Sequence, residues 1–217
     1  SSEELSYIEN NAPASEAITQ IPLSKLISNL PFIAIIVATF ANNWSLLVFL
    51  SFLPKFVDNE LGVDLSSGSF LVLIIIPSIV SVIALNLGGY IADTLIKKGY
   101  KVIKVRKSAN SIGFFGSAAC LFTIPFLNDV YTIIGLICMT NIFTGAAAGG
   151  FGVNHADLGP KSTGTLVGIA STLGTAAGVL GNIISGIVLD LTQSWTLVFF
   201  IAAGLLVFGG IFYLLFA

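Results

Sequence analysis

The sequence predicts an all-α membrane protein with six transmembrane helices, and three observations predict this fold class. Hydrophobic residues make up 55% of the 217-residue chain. Charged residues make up only 9%, whereas a soluble domain carries about 25%. The mean hydropathy is +0.97. Because so few charged residues cannot cover a water-facing surface, the composition excludes a soluble globular enzyme. The same excess of apolar residues excludes a disordered chain.

Six long apolar runs account for most of the sequence. A helix needs about 20 residues to cross a bilayer, and backbone polar groups in lipid must be satisfied within the helix. The predicted spans, numbered one to six in chain order, cover residues 31–53, 67–92, 109–127, 131–152, 164–189 and 195–217.

A polar segment precedes the first span. Residues 1–20 are rich in Ser, Asn, Ala and Glu, and they lack the basic start of a signal peptide. We therefore expect a largely disordered linker over residues 1–20 and a helical bundle over residues 21–217. Because the chain begins at Ser1, we also expect it to be part of a longer protein.

The basic residues set the predicted orientation. Loops rich in Lys and Arg face the cytoplasm, or its topological equivalent in an organelle. Eight of the nine basic residues fall on one side, which places both termini there; the ninth, on the outer side, is Lys55. For the cluster at 97–107, contact with lipid headgroups is a secondary role, while the net charge of −2 gives no basic field for nucleic acid. The inner residues are Lys25, Lys97, Lys98, Lys101, Lys104, Arg106, Lys107 and Lys161.

Uncharged polar residues are the exceptions within the spans, because no charged residue lies in the middle of any of them. The adjacent amides of Asn42 and Asn43 are costly in hydrocarbon unless they face a wet cavity or pair with another helix. Pairing between helices stays open as their only role. We expect a cavity lined from spans one, four and five. Its candidate residues are Asn42, Asn43, Ser45, Asn141, Thr144, Ser171, Thr172 and Thr175.

Glycines four residues apart predict close contacts between helices, because two backbones can approach there. All three such pairs lie in spans four and five, while spans three and six are more uniformly apolar. We expect spans one, two, four and five to face inward and spans three and six to face lipid. The pairs are Gly145 with Gly149, Gly164 with Gly168, and Gly174 with Gly178.

The only histidine, His155, lies near Asp157 at the inner end of span four. It could titrate near neutral pH, or it could tie a tight loop through hydrogen bonds to Asn154 or Asp157, and the structural role is favoured. Cys120 and Cys138 are read as small buried hydrophobes. The sequence contains no metal-ligand spacing, nucleophile elbow or phosphate-binding loop, so we expect no metal, no cofactor and no enzyme activity.

Four motifs resemble known transporter sequences. Gly88-Gly-Tyr-Ile-Ala-Asp93, followed by Lys97 and Lys98, is similar to a loop motif of the major facilitator superfamily. The other three resemble the anion:cation symporter family within that superfamily. They are Asn43-Trp44 with Leu53-Pro54, Val105-Arg-Lys107 followed by Ile112-Gly-Phe-Phe-Gly116, and Asn154-His155-x-Asp157-x-Gly-Pro160.

The resemblance implies a fold, a function and partners. The chain would be the C-terminal six-helix half, helices seven to twelve, of a transporter whose N-terminal six-helix half is missing from this chain. Substrate would bind between the halves, and one half would rock against the other. The family carries small organic or inorganic anions, often with protons or sodium. The membrane would be a plastid, vesicle, lysosome or plasma membrane.

Individual positions refine what the resemblance implies. Asn43 stands where glutamate carriers have Arg, and Leu47 stands where the family has Tyr. Ser171 replaces a common Asn, and Gly159 is similar to plant members. These departures favour a carrier of phosphate or another small anion.

The motif residues at the inner end are implied to be gating or structural. Asp93 would act as a conformational latch against a helix of the other half, with Lys97 and Lys98 nearby. The same role is implied for Asn154, His155 and Asp157. The alternative function is a non-transporting truncated membrane module or assembly partner.

Overall fold

All the long secondary-structure elements in the described part of the chain are helices. A computed structural model describes residues 28–62 and 68–217, without the side chains of Leu61, residues 68–74 and Lys161. The expected linker over residues 1–20 and the inner Lys25 lie outside the described residues. The helices are α1 Leu30–Leu61, α2 Gly68–Lys97, α3 Val102–Thr123, α4 Val130–Ala147, α5 Asn154–Leu158, α6 Thr163–Thr192 and α7 Trp195–Phe216.

Local signals in the sequence start these helices. Each of three N-caps uses a side-chain oxygen to accept a hydrogen bond from a free amide of the first turn. Asn29 accepts from the amide of Phe32 at the start of α1, Asp129 caps α4, and Ser194 caps α7. At its other end α1 stops at Gly62, whose φ of 62° is a left-handed conformation that glycine adopts readily.

Among the described residues, six helices are long and apolar enough to cross a membrane, which confirms the predicted fold class of a multi-pass membrane protein. Their bounds differ from the predicted spans at the outer end of α1, which continues to Leu61, and at the inner end of the bundle. α3 begins at Val102 and includes the basic turn that hydropathy assigned to a loop. α4 continues through a π-helical turn at Ala148–Gly152 into the short α5, so the motif around His155 is helical rather than a loop.

The helices pair in a pattern that relates the two halves of the bundle. α1 packs mainly against α6 and α7, while α4 packs mainly against α2 and α3, and α3 packs against α7. When α1, α2 and α3 are matched with α4, α6 and α7, each contact made by one set has a counterpart made by the other. This symmetry is expected for an internal repeat. α2 and α6 lie at the two ends of this row of helices.

The main apolar core lies between α1, α3, α4 and α7. Aromatic side chains fix its outer end, where Phe56 of α1 meets Trp195 and Phe199 of α7 with ring centroids 5.4 and 5.1 Å apart. Near the inner end, Phe114 of α3 meets Phe151 of the π-helical turn at 5.6 Å. Edge-to-face rings at these distances are favourable.

Small residues bring two pairs of helices into contact, as predicted. Gly145 of α4 and Gly149 of the π-helical turn face Ala84 and Gly88 of α2, and a Cβ on Gly149 would lie 2.6 Å from the Gly88 carbonyl oxygen. Gly174 and Gly178 of α6 face Asn43 and Leu47 of α1. For the third pair the contact stays a prediction, since Gly164 and Gly168 have nothing within 4 Å in the described part of the chain. Spacing alone does not tell which face of a helix meets a neighbour.

Candidate functional site

Four of the predicted cavity residues come together in the middle of the bundle. Asn42 and Ser45 of α1 and Asn141 and Thr144 of α4 line one hollow of about 30 Å³. Asn141 also lines an adjoining hollow of about 260 Å³ between α1, α2 and α4. Asn42 and Ser45 lie near the centre of α1, and Asn141 and Thr144 lie near the centre of the apolar helical stretch Val130–Leu158, which places this central polar hollow near the middle of the membrane.

Hydrogen bonds fix part of this hollow. The Ser45 hydroxyl donates to the Ala202 carbonyl of α7 at 3.2 Å. The Asn141 amide nitrogen donates to the Pro77 carbonyl of α2 at 3.0 Å. Thr144 donates to the Thr140 carbonyl of its own helix at 2.9 Å. The half-buried amide of Asn42 makes no hydrogen bond with the described residues, so it is available to a ligand or to water.

The structure adds Ser117 of α3 to this hollow. Its side chain is buried, its hydroxyl donates to the Thr140 carbonyl at 3.2 Å, and it lies 3.4 Å from the Thr144 hydroxyl. Sequence reasoning missed Ser117 because span three was assigned to lipid. The small residues Gly113 and Gly116 just before it were the available signal, since both contact α4.

The other four predicted cavity residues lie elsewhere, on α1 and α6. The Asn43 amide packs on Gly174 of α6. Ser171, Thr172 and Thr175 are on the exposed side of α6. Thr172 and Thr175 donate to carbonyls of their own helix at 2.8 and 2.9 Å, and their hydroxyl oxygens remain able to accept.

The inner end of the bundle carries an ion-pair cluster centred on a residue that sequence reasoning counted only as a loop charge. Arg106 of α3 is 5% exposed. Its Nε donates to Asp157 of α5 at 2.8 Å, and its guanidinium also donates to the Gly149 carbonyl at 2.8 Å. Asp93 of α2 lies 3.9 Å from the same guanidinium. This inner cluster therefore joins α2, α3 and the end of α4.

The remaining inner motif residues are placed differently from the sequence expectation. Asn154 is buried and donates to the Tyr213 hydroxyl of α7 at 2.8 Å. His155 is buried, and its Nδ1 lies 3.4 Å from the Gly152 carbonyl rather than near Asn154 or Asp157. Its Nε2 has no partner in the described ranges. The expected tie of His155 to the neighbouring side chains is therefore replaced by Asn154 bonding to α7 and Asp157 bonding to α3.

The two motif lysines extend into solvent. Lys97 and Lys98 are exposed at the end of α2, and no carboxylate in the described part of the chain pairs with either amine. The described residues also contain no group of three His, Cys, Asp or Glu side chains that could hold a metal ion. The residues that line the central polar hollow are thus uncharged, and the ion pairs of the described residues lie at the inner end.

Comparison with known proteins supports the resemblance carried by the motifs. The chain is 33% identical to the ascorbate transporter, chloroplastic, of Arabidopsis thaliana, over 100% of its own length and 40% of that protein. It is 32% identical to the sodium-dependent phosphate transport protein 1, chloroplastic, of the same plant, over 99% of its length and 41% of that protein. It is 32% identical to human sialin, over 98% of its length and 43% of that protein.

The chain spans less than half the length of these relatives. No protein-family model matches it. The similarity nevertheless extends over almost all of its residues and confirms the resemblance predicted from the motifs.

Proposed function

Because the chain is a relative of the anion:cation symporters of the major facilitator superfamily, we propose that it forms one half of a secondary transporter for small anions. The N-terminal six-helix half would supply the other wall of the passage. A proton or sodium gradient would drive transport, and the two halves would rock to expose the substrate to each side in turn.

The single observation that carries the proposal is the central polar hollow. Uncharged polar groups at mid-membrane are costly unless they bond to one another or line a wet cavity. Asn42 makes no hydrogen bond with the described residues, and Asn141 and Thr144 lie beside it around the same hollow. The amide of Asn42 and the second amide hydrogen of Asn141 supply donors that can hydrogen-bond an anion's oxygens.

The chemistry of this wall favours a compact oxyanion. In this half no arginine or lysine reaches the centre of a described helix, so the substrate's charge would be balanced by the other half or by the coupling ion. Relatives named as ascorbate and phosphate transporters make those two anions the first substrates to try. Ser171, Thr172 and Thr175 would contribute from the exposed side of α6.

The inner cluster would act as a latch. Arg106 holds Asp157 and lies near Asp93, so it keeps the inner ends of α2, α3 and α4 together. Opening towards the cytoplasm would require this cluster to loosen. Asp93, whose side chain is 62% exposed, is free to meet a helix of the other half as well, with Lys97 and Lys98 nearby.

Transport by the full-length protein in liposomes tests the proposal. Uptake of labelled phosphate, ascorbate, glutamate and sialic acid is measured under inward proton or sodium gradients. We expect gradient-dependent uptake of at least one anion. Asn141→Leu should reduce that uptake about tenfold, the effect of one lost hydrogen bond of ~1.4 kcal/mol.

Asn86→Leu is the matched control. Asn86 is an exposed amide of α2 that bonds only to the Val82 carbonyl of its own helix, so its loss should leave uptake unchanged. If both variants lose uptake equally, the central polar hollow does not lie on the substrate path. Absence of uptake for every anion under both gradients would instead favour the alternative, a non-transporting membrane module.

A further inference from the structure

A second, larger hollow lies away from the central polar hollow, between α2 and α3 at the inner end of the bundle. Its volume is about 480 Å³, within the range of ~300–1,000 Å³ that holds small ligands. Apolar side chains form most of its wall, and Ala146 of α4 forms part of its floor. Ile91 of α2 and Ile112 of α3 are two of the exposed wall residues.

This inner groove exists because α2 leans away from α3. Gly88 of α2 approaches Gly145 so closely that an added Cβ would overlap the Gly145 carbonyl. That contact draws α2 onto α4, and α2 makes few contacts with α3. The two helices are joined only by the short turn between Lys97 and Val102, so they diverge towards the middle of the membrane and leave the groove open.

The mouth of the inner groove is basic. Lys104 and Tyr100 line it and both are exposed. Within the described ranges no carboxylate lies within 4 Å of the Lys104 amine, whereas Arg106 on the same helix is already held by Asp157. Lys101 adds an exposed positive charge beside them. The groove thus combines an apolar channel with an unpaired cationic end on the predicted cytoplasmic side.

We propose that the inner groove binds one anionic phospholipid of the cytoplasmic leaflet. An acyl chain would lie along the apolar wall, and the phosphate would accept hydrogen bonds from the Lys104 amine and the Tyr100 hydroxyl. Basic pockets between transmembrane helices on the cytoplasmic side suit such headgroups, because the leaflet there is rich in acidic lipids. The proposal is independent of which solute the protein carries.

Photo-crosslinking of the full-length protein tests this site. The protein is placed in phosphatidylcholine nanodiscs that contain phosphatidylglycerol with a photoreactive group in one acyl chain, and cross-linked peptides are mapped by mass spectrometry. We expect adducts on the groove segments of α2 and α3. Lys104→Gln should lower this labelling several-fold, and unlabelled phosphatidylglycerol should compete for it. Inorganic phosphate should not compete.

Lys97→Gln is the matched control, since Lys97 is an equally exposed lysine outside the groove, and it should leave labelling unchanged. Ala109→Trp fills the groove without altering its charge and should also lower labelling; thermal melting of each variant establishes that it is folded. Three results would overturn the proposal: equal labelling by a phosphatidylcholine probe, equal loss in Lys97→Gln, or no labelling of the groove because another helix covers it. Displacement by inorganic phosphate would overturn it too, by assigning the cationic end to the free ion.

Discussion

Arg106 shows how one residue can change its meaning between sequence and structure. In the sequence it belongs to a basic stretch that sets the predicted orientation of the chain in the membrane. In the structure it is the buried centre of the inner cluster, with two hydrogen bonds of 2.8 Å to α5 and to the π-helical turn. The turn that carries it is helical, which points its side chain back into the bundle instead of into water.

We expect Arg106→Ala to lower the stability of the bundle by about 1.5–3 kcal/mol, the value of a hydrogen bond to a charged group. The substitution leaves Asp157 and the Gly149 carbonyl without their donor. The measurement is thermal melting in one detergent. Lys98→Ala, in the same basic stretch but exposed, should melt with the wild type. If the two variants lose stability equally, the cluster contributes nothing specific.

The titration of Asp129 should be visible in how the stability of the protein depends on pH. The hydroxyl and amide of Thr132 both donate to its carboxylate, which holds the pKa of Asp129 below its ordinary value of 3.8. A carboxylate with a lowered folded-state pKa stabilises the protein above the unfolded-state pKa and loses that contribution as the pH falls through the folded-state pKa. The difference in melting temperature between wild type and Asp129→Ala should therefore be present at neutral pH and disappear in acid.

Ser194→Ala is the control for that experiment, because Ser194 caps α7 through a hydroxyl that does not titrate. Its effect on melting should stay constant across the same pH range. A difference for Asp129→Ala that persists in acid would show that the cap works without its charge.

The sequence shows which polar residues lie within the spans more readily than how those residues group in space. Asn42, Ser45, Asn141 and Thr144 meet around one hollow, while Asn43 packs on α6. Adjacent positions on a helix point about 100° apart, so two neighbouring asparagines cannot face the same partner. Ser117 was not predictable without knowing that α3 packs on α4. Grouping depends on helix pairing, which composition does not encode.

At the scale of elements, glycine contacts determine which helix α2 packs against. Its small-residue stripe meets the stripe of α4, and one consequence is the inner groove on the opposite side towards α3. Hydropathy predicts the existence of each membrane-spanning helix, because the length and apolar content of a run are enough to identify it. It misplaces the outer end of α1 and the inner ends of α2 and α3, where charged turns extend the helices beyond the apolar runs.

Two adjacent glycines allow a matched test of the α2–α4 contact. Gly88→Ala should cost about 1–3 kcal/mol, since the new methyl group would meet the Gly145 backbone, which cannot move aside cheaply. Gly89→Ala meets nothing within 4 Å and should be neutral or stabilising by up to about 1 kcal/mol. Thermal melting compares the two. Equal behaviour would mean that α2 is free to move away from α4.

At the scale of the whole molecule, the row of helices leaves broad surfaces uncovered. α2 exposes many large apolar side chains, and α6 exposes Ser171, Thr172 and Thr175. Which of these surfaces meets lipid and which meets another part of the protein stays a prediction, as does the inward position of spans one, two, four and five. The internal repeat of contacts explains why the two uncovered helices are α2 and α6, since each is the second helix of its unit.

We expect the chain expressed by itself to dimerise or aggregate in detergent. The exposed side of α6 has no neighbouring helix in the described part of the chain, so we expect a second protein surface to cover it. Size-exclusion chromatography with light scattering measures the outcome. A monodisperse, thermally stable monomer would contradict the expectation, and co-expression with the six-helix half that it is proposed to lack should restore one defined species.

The pairing of α1 with α6 has a consequence for biosynthesis. Roughly 100 residues separate the end of α1 from the start of α6, and a ribosome adding about 5–20 residues per second needs on the order of 5–20 seconds to make them. During that interval α2, α3 and α4 can already associate, while α1 waits in the bilayer with its two asparagines unsheltered. Among the described helices α1 is therefore made first, yet it meets its main partner only after α6 has been made.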